Sequence, residues 1–222
     1  MKGTLIRCGF GLGNRVASMA HALSFGEPIR FVWRVNEHCP VHHTDIWKDG
    51  VPGVEMVDNA EVGFATRVGG KMIYDWGIGS SAGAVEKCYR DIFKAMSIKA
   101  RPSPPKVAVV SRLYRQQQGN LESLAYHATK AAKLHPKHRL FLLADTKRAT
   151  IEDLIARFDP SVRVVMATTP ELIEDLARSK EDVISFISDW RTALAAETIF
   201  TLDGPTTLLH PARAWNIPIT YA

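Results

Sequence analysis

"GFGLGNRVASMAHAL", Gly9 to Leu23, follows the short apolar pair Leu5-Ile6 and sets the reading of the first part of the chain. Val16, Met19, Ala20 and Leu23 recur at i, i+3, i+4 and i+7, the spacing of a helix with one buried face. Ahead of them, Gly9, Gly11 and Gly13 make a turn almost free of side chains between an apolar strand and that helix. Such a turn presents backbone N–H groups at a helix N-terminus, where anions are favoured. It also suits a close contact between helix and sheet, so the stretch alone leaves a phosphate cradle and a tight turn both open. The dinucleotide fingerprint is not met, because Asn14 stands where its third glycine belongs, and no Walker lysine follows. Arg15 would add a positive charge. Gly26 and Pro28 end the helix, and Ile29 to Trp33 form the next strand. One βαβ unit therefore opens the chain.

Beyond that unit, Asn36 to Gly53 reads as loop, Val54 to Val57 as a strand and Ala82 to Ser97 as a helix. Residues 62–65 and 71–74, on either side of Gly69-Gly70, are expected to pair as a hairpin. "RPSPP", Arg101 to Pro105, is incompatible with continuous helix or central strand and marks a boundary. After it the alternation restarts. Strands are expected at Val107–Val110, Leu140–Ala144, Val162–Met166 and Thr198–Leu202. Helices are expected at Leu121–Leu134, around Ile151–Phe158 with Thr150 and Asp153 as a capping box, from Thr169-Pro170, at Glu181–Ala196 and from Thr206 onward. Short apolar strands alternating with amphipathic helices predict an α/β fold with parallel sheets covered on both faces. The break divides it into two Rossmann-like domains, residues 1–100 and 106–222, facing a cleft. Ligands of such sheets sit beyond the carboxyl ends of the strands.

Composition narrows the function. The chain has 222 residues, is 46% apolar and carries a net charge of +5. No apolar stretch reaches the roughly 20 residues of a membrane span, and no signal-peptide core precedes the first helix. Three widely spaced cysteines, Cys8, Cys39 and Cys88, suit reduced thiols in a cytoplasm. The densest basic stretch, Lys130 to Arg139, has no aromatic residues to stack bases, which argues against nucleic acid as a partner. "EHCPVHHTD", Glu37 to Asp45, is rich in ligand types, yet its spacing fits no closed zinc pattern, so no metal is expected. A G-x-S-x-G hydrolase turn is also absent.

The candidate site residues lie after strands. Arg112 and Arg115 follow "VAVVS", where a guanidinium can fork two hydrogen bonds to phosphate oxygens. Asp145 follows the next strand and equally suits a helix cap. Asp189 sits on an otherwise apolar helix stripe and needs a donor, from a ligand base or sugar or from a salt bridge. "GPTT", Gly204 to Thr207, offers hydroxyls and helix-start amides to a phosphate or to an ordinary N-cap.

In this order the segments resemble the fucosyltransferase superfamily of GDP-fucose-dependent enzymes, which includes nodulation, α1,2-, α1,6- and protein O-fucosyltransferases. "GFGLGNR" and "FVWRVNEHCPVHHTDIW" resemble its N-terminal pattern. "VAVVSRLYR" is similar to its strand ending in H-x-R-R, and "FLLADTKRATIEDLIARF" to its strand-Asp-helix segment. "ISDWRTALAAETIFTLDGPTTLLHPARAWN" is similar to the last part of its donor domain. The resemblance covers most of the chain except roughly residues 59–104. It implies a GT-B-like pair of domains and transfer of fucose or a similar sugar from a GDP-sugar to a glycan or small-molecule acceptor, with inversion and without metal or other cofactor. It places Arg112 at the donor β-phosphate, with Arg115 nearby. Asp189 would lie at guanine, Thr206 and Thr207 near the diphosphate, and Gly13 with Asn14 facing it. Val110 and Leu113 depart from the histidine and second arginine of the motif, which raises the alternative of a degenerate nucleotide-sugar-binding protein. Asp45, His43 and Asp75 are the polar candidates for an acceptor base.

Overall fold

The computed structural model describes residues 4–8, 11–58, 82–111, 120–144, 148–168, 179–202 and 207–222. They are α/β throughout, with two parallel sheets in two compact units. The first comprises residues 1–98 and 177–183, the second residues 99–176 and 184–222.

In the first unit, β1 (Thr4–Arg7), α1 (Leu12–Leu23), β2 (Ile29–Trp33), α2 (His43–Ile46), β3 (Val54–Asp58) and α3 (Ala82–Ala95) follow in order. The sheet is β1-β2-β3 and wholly parallel, with Ile6 beside Phe31 and Phe31 beside Met56. The central strand has neighbours on both edges, and Phe31, Val32 and Trp33 are all buried. A two-sided apolar strand of this kind is the sequence signature of a covered parallel sheet. Helix α1 buries Leu12, Val16, Met19 and Ala20. It ends where Gly26, at φ 86°, takes the left-handed conformation and donates its N–H to Leu23 O at 2.9 Å.

The second unit contains β4 (Val107–Ser111), α4 (Leu121–Ala132), β5 (Arg139–Ala144), α5 (Arg148–Arg157), β6 (Arg163–Met166), the greater part of α6 (Lys180–Ala193), β7 (Thr198–Thr201), α7 (His210–Ala214) and β8 (Ile219–Tyr221). The sheet order is β6-β5-β4-β7-β8, again all parallel. Every residue of β4 is buried, and Val107, Val109, Leu140 and Leu142 meet Leu121, Leu124, Ala128, Ile151 and Leu154 in one core. At roughly 1.5–3 kcal/mol for each fully buried large aliphatic side chain, this contact layer is the main stabilising element of the unit.

Several boundaries differ from the sequence reading. Helix α1 begins at Leu12, so Gly13, Asn14 and Arg15 belong to its first turn rather than to the turn before it. Helix α5 begins at Arg148, which puts Thr150 inside the helix instead of at its cap. The stretch read as loop contains α2. There His42 stands in for the usual Ser or Thr of a capping box, and Asp45 Oδ2 accepts from His42 N at 3.0 Å. The described tail, from Thr207, is not one continuous helix: α7 is short, Asn216 at φ 54° closes it, and after Pro218 the chain becomes the edge strand β8. The expected hairpin of residues 62–65 and 71–74 and the helix from Thr169 lie outside the described residues.

Candidate functional site

In the second unit the chain runs from β4 outward through β5 to β6, then returns to the other side of β4 as β7. The switch point therefore lies between β4 and β7, and ligands of open parallel sheets bind outside the carboxyl ends at such a point. Ser111 ends β4 and Thr201 ends β7, both buried, and Leu202 N donates to Ser111 Oγ at 3.4 Å across the gap. Arg112 is the next residue after Ser111 in sequence. It lies outside the described residues, as do Arg115, Asp145 and Thr206. Thr207 is described, half-buried in the turn that leads into α7. Trp190 of α6 fixes that turn by donating its indole N–H to Leu208 O at 2.8 Å.

Asp189 is fully buried, and its carboxylate is engaged by protein. Oδ2 accepts from Thr168 N at 2.7 Å and from Thr168 Oγ1 at 2.9 Å, and Oδ1 lies 2.5 Å from Arg101 Nη2 in an ion pair. Arg101 also donates to Thr168 Oγ1 at 2.6 Å and to Met166 O at 2.8 Å, and its guanidinium lies 5.3 Å from the centroid of the Phe141 ring. Its backbone N–H reaches Thr192 Oγ1 at 2.9 Å. The first residue of the "RPSPP" stretch thus fastens the carboxyl end of β6 to α6. Of the two roles open to Asp189, the salt bridge is the one the structure shows. Sequence reasoning passed over Arg101, because a prolyl stretch signals a boundary and gives no hint of a buried partner.

At the carboxyl edge of the first sheet, Gly11 is the N-cap of α1 in extended conformation. Its carbonyl accepts from Asn14 N at 3.1 Å and from Arg15 N at 3.2 Å. Leu12 and Gly13 occupy first-turn positions whose N–H groups have no acceptor within a helix, which leaves them to a loop, water or an anion. Asn14 is half-buried beside them. Arg15, in contrast, is fully buried. It donates to Arg34 O at 2.7 Å and to Asn36 Oδ1 at 2.9 Å, with its guanidinium 4.7 Å from the centroid of a Trp33 ring. Burial lowers its pKa, against the opposing influence of the nearby Cys39 and Cys8 thiols. Asn36 Oδ1 also accepts from Cys39 N at 3.0 Å, so Arg15 organises the loop after β2.

The His-rich segment has structural occupations as well. His42 and Asp45 cap α2, the His43 ring stands edge-on to Trp33, and Cys39 is buried. Asp45 is ion-paired to Lys180 at 2.7 Å, a contact that lowers its pKa, so it is a poor proton acceptor for an incoming hydroxyl. Among the described residues no group of three or more His, Cys, Asp and Glu side chains is placed to hold a metal ion. Asp75 lies outside the described residues.

His210, the first residue of α7, is buried, and burial pushes its pKa down to about 4, with Arg213 acting in the same direction. In the unfolded chain a histidine titrates near 6.5, so the unfolded state gains its proton first as the pH falls. The neutral ring is therefore without penalty above about pH 6.5, and stability is lost between there and about pH 4, by roughly 3 kcal/mol in all. Urea melts of the wild type and His210→Gln across that window should diverge by this amount. Parallel curves would show that His210 takes up its proton in the folded state.

No protein-family model and no curated protein matches the sequence. Solved structures do match. A crystal structure of NodZ α-1,6-fucosyltransferase soaked with GDP-fucose aligns with a TM-score of 0.61 at 16% identity, over 99% of this chain and 95% of that one. The chain has the NodZ fold. The NodZ enzyme co-crystallised with GDP aligns at a TM-score of 0.56 and 14% identity, over 96% and 92% of the two chains. A fucosyltransferase NodZ structure from Bradyrhizobium aligns at 0.54 and 15%, over 96% and 93%. The resemblance carried by the sequence motifs and the likeness of fold thus point to the same enzymes.

Proposed function

We propose that this protein is a glycosyltransferase that moves a sugar, fucose or a close relative, from a GDP-sugar to a hydroxyl of a glycan or small-molecule acceptor. The supporting observation is a parallel sheet of NodZ-like fold with Ser111 and Thr201 ending the two strands at its switch point, Arg112 being the next residue in sequence after Ser111. In this reading the arrangement is GT-B-like and the second unit holds the nucleotide. The Arg112 guanidinium, with Arg115 near it, stabilises the charge that develops on the departing diphosphate. Thr206 and Thr207 donate to diphosphate oxygens, and the first turn of α1 adds the backbone N–H of Gly13 and the side chain of Asn14. The acceptor oxygen attacks the anomeric carbon as the bond to GDP breaks, with inversion and without metal. Arg15 and Asp189 shape the loops at the two carboxyl edges and do not touch the donor, because both are fully buried among protein partners.

A second reading, nucleotide-sugar binding without transfer, is favoured by one observation. Val110, at the position of the motif histidine, is buried inside β4, and Leu113 replaces the second arginine. Thermal shift and product release separate the two. A GDP concentration one hundred times its dissociation constant stabilises by about 2.7 kcal/mol. For a chain of this size that corresponds to a rise of roughly 5–10 °C in Tm. UDP, CDP and NAD should give none, and Arg112→Ala should abolish the GDP effect. GDP released from GDP-fucose marks the transferase, and stabilisation without release marks the binder. No shift with any nucleotide would sink both.

A further inference from the structure

The amino edge of the second sheet lies opposite the carboxyl edge that the donor reading uses, and it has a composition of its own. The turns that bring the chain back to the starts of β4, β5, β6, β7 and β8 all lie there, as parallel topology requires. Two large apolar side chains stand out from these turns: Leu134, 80% exposed, after α4, and Trp215, 37% exposed, after α7. Lys106, Lys130, Lys133, Lys137, Arg163 and Arg213 lie in or beside the same turns. The acids nearby, Glu197 and Asp159, are each ion-paired, to Lys106 and Lys133. Lys130, Lys137, Arg163 and Arg213 are exposed and have no ion-pair partner among the described residues.

Cations in the last turn of a helix complement its dipole, which accounts for Lys130 and Arg213. It does not account for Lys137 and Arg163, which lie outside the helices, nor for a leucine held out in water. The turn that carries Leu134 is also conformationally costly. Lys137 and His138 adopt φ values of 72° and 40°, a left-handed pair without glycine. The turn is pinned by Arg163 N donating to His138 O at 2.8 Å.

We infer that this edge docks on an anionic lipid surface, with Leu134 and Trp215 entering the headgroup layer and Lys130, Lys137, Arg163 and Arg213 meeting the lipid charges. Tryptophan favours that layer because its ring is apolar and its N–H polar. Each basic residue near an anionic surface is worth enough to change partitioning about fivefold. The contact is peripheral, since no described helix is long and apolar enough to cross a membrane. It leaves the carboxyl edge of the sheet facing away from the lipid. The inference is independent of the proposed transferase activity.

The test is sedimentation of the full chain with vesicles of phosphatidylcholine alone and of phosphatidylcholine mixed with phosphatidylglycerol, at low and at physiological salt. Binding is expected only to the mixed vesicles and should weaken with salt. Lys137→Ala and Arg163→Ala should each reduce it about fivefold. Leu134→Ser should reduce it further at either salt concentration. All three positions are surface sites, so Tm and the GDP-induced shift should stay at wild-type values, which keeps this outcome separate from that of the donor site. Equal sedimentation with both vesicle types, no sedimentation with either, or full binding by the Lys137→Ala/Arg163→Ala/Leu134→Ser variant would each overturn the inference. So would binding to RNA with none to vesicles.

Discussion

Replacing Asp189 with alanine is expected to destabilise the second unit by about 3–5 kcal/mol, the range found when one partner of a buried ion pair is removed. The size follows from what is left behind. Thr168 loses the acceptor of both its N–H and its hydroxyl, and Arg101 loses its counter-charge while its other donors still point into the fold. Hydrogen bonds to a charged group alone contribute about 1.5–3 kcal/mol each. Asp189→Asn should be milder, because an amide oxygen can still accept from Thr168 although the charge is gone. Arg101→Ala strands the carboxylate instead and should also be severe. The double substitution Arg101→Met/Asp189→Leu removes both charges together and should be less damaging than the sum of the singles. Urea denaturation of Arg101→Met, Asp189→Leu and the double variant gives the coupling directly. Additive losses would mean that the two side chains are close without depending on each other.

That network shows where the sequence was legible and where it was not. Apolar runs such as "VAVV" and the i, i+3, i+4 stripe of α4 are local signals, and the strands and helices they predict are present at nearly the predicted bounds. The Gly26 stop was also readable, since it depends on a few adjacent residues. Partner choice is another matter. Nothing within ten residues of Asp189 indicates that Arg101 and Thr168 will reach it, because the three converge only after the sheet has formed. Arg15 is a similar case. A basic residue at a helix start looks like an anion contact until Trp33 and Asn36 supply a face and an acceptor inside the unit. The unexpected β8 had a local signal in "NIP", Asn216 to Pro218, where an αL asparagine followed by proline ends a helix and leaves extended chain. The capping histidine of α2 had none, since histidine is not among the usual N-cap residues.

Trp33→Ala should be the most damaging substitution in the first unit, at about 3–5 kcal/mol for loss of a large buried aromatic. Besides the edge-on His43 ring, four contacts converge on this side chain. Arg15 lies over its face, and the Trp47 ring meets it edge-on at 5.6 Å and 86°. Phe31 packs at 6.3 Å, and the indole N–H donates to Val41 O at 2.8 Å. Removing the ring leaves a cavity, an unpaired carbonyl and a buried guanidinium without its aromatic face. Trp33→Phe separates these contributions. Phenylalanine keeps a face for Arg15 and an edge for Trp47 but cannot donate to Val41 O, so about 1–3 kcal/mol should be lost. The cation–π share is isolated by Arg15→Met in the two backgrounds. A desolvated pair of this kind is worth about 2 kcal/mol, so Arg15→Met should be milder by that margin in Trp33→Ala than in the wild type. If Arg15→Met is equally damaging in both, the guanidinium is held by its hydrogen bonds rather than by the ring, and Trp33 contributes through packing.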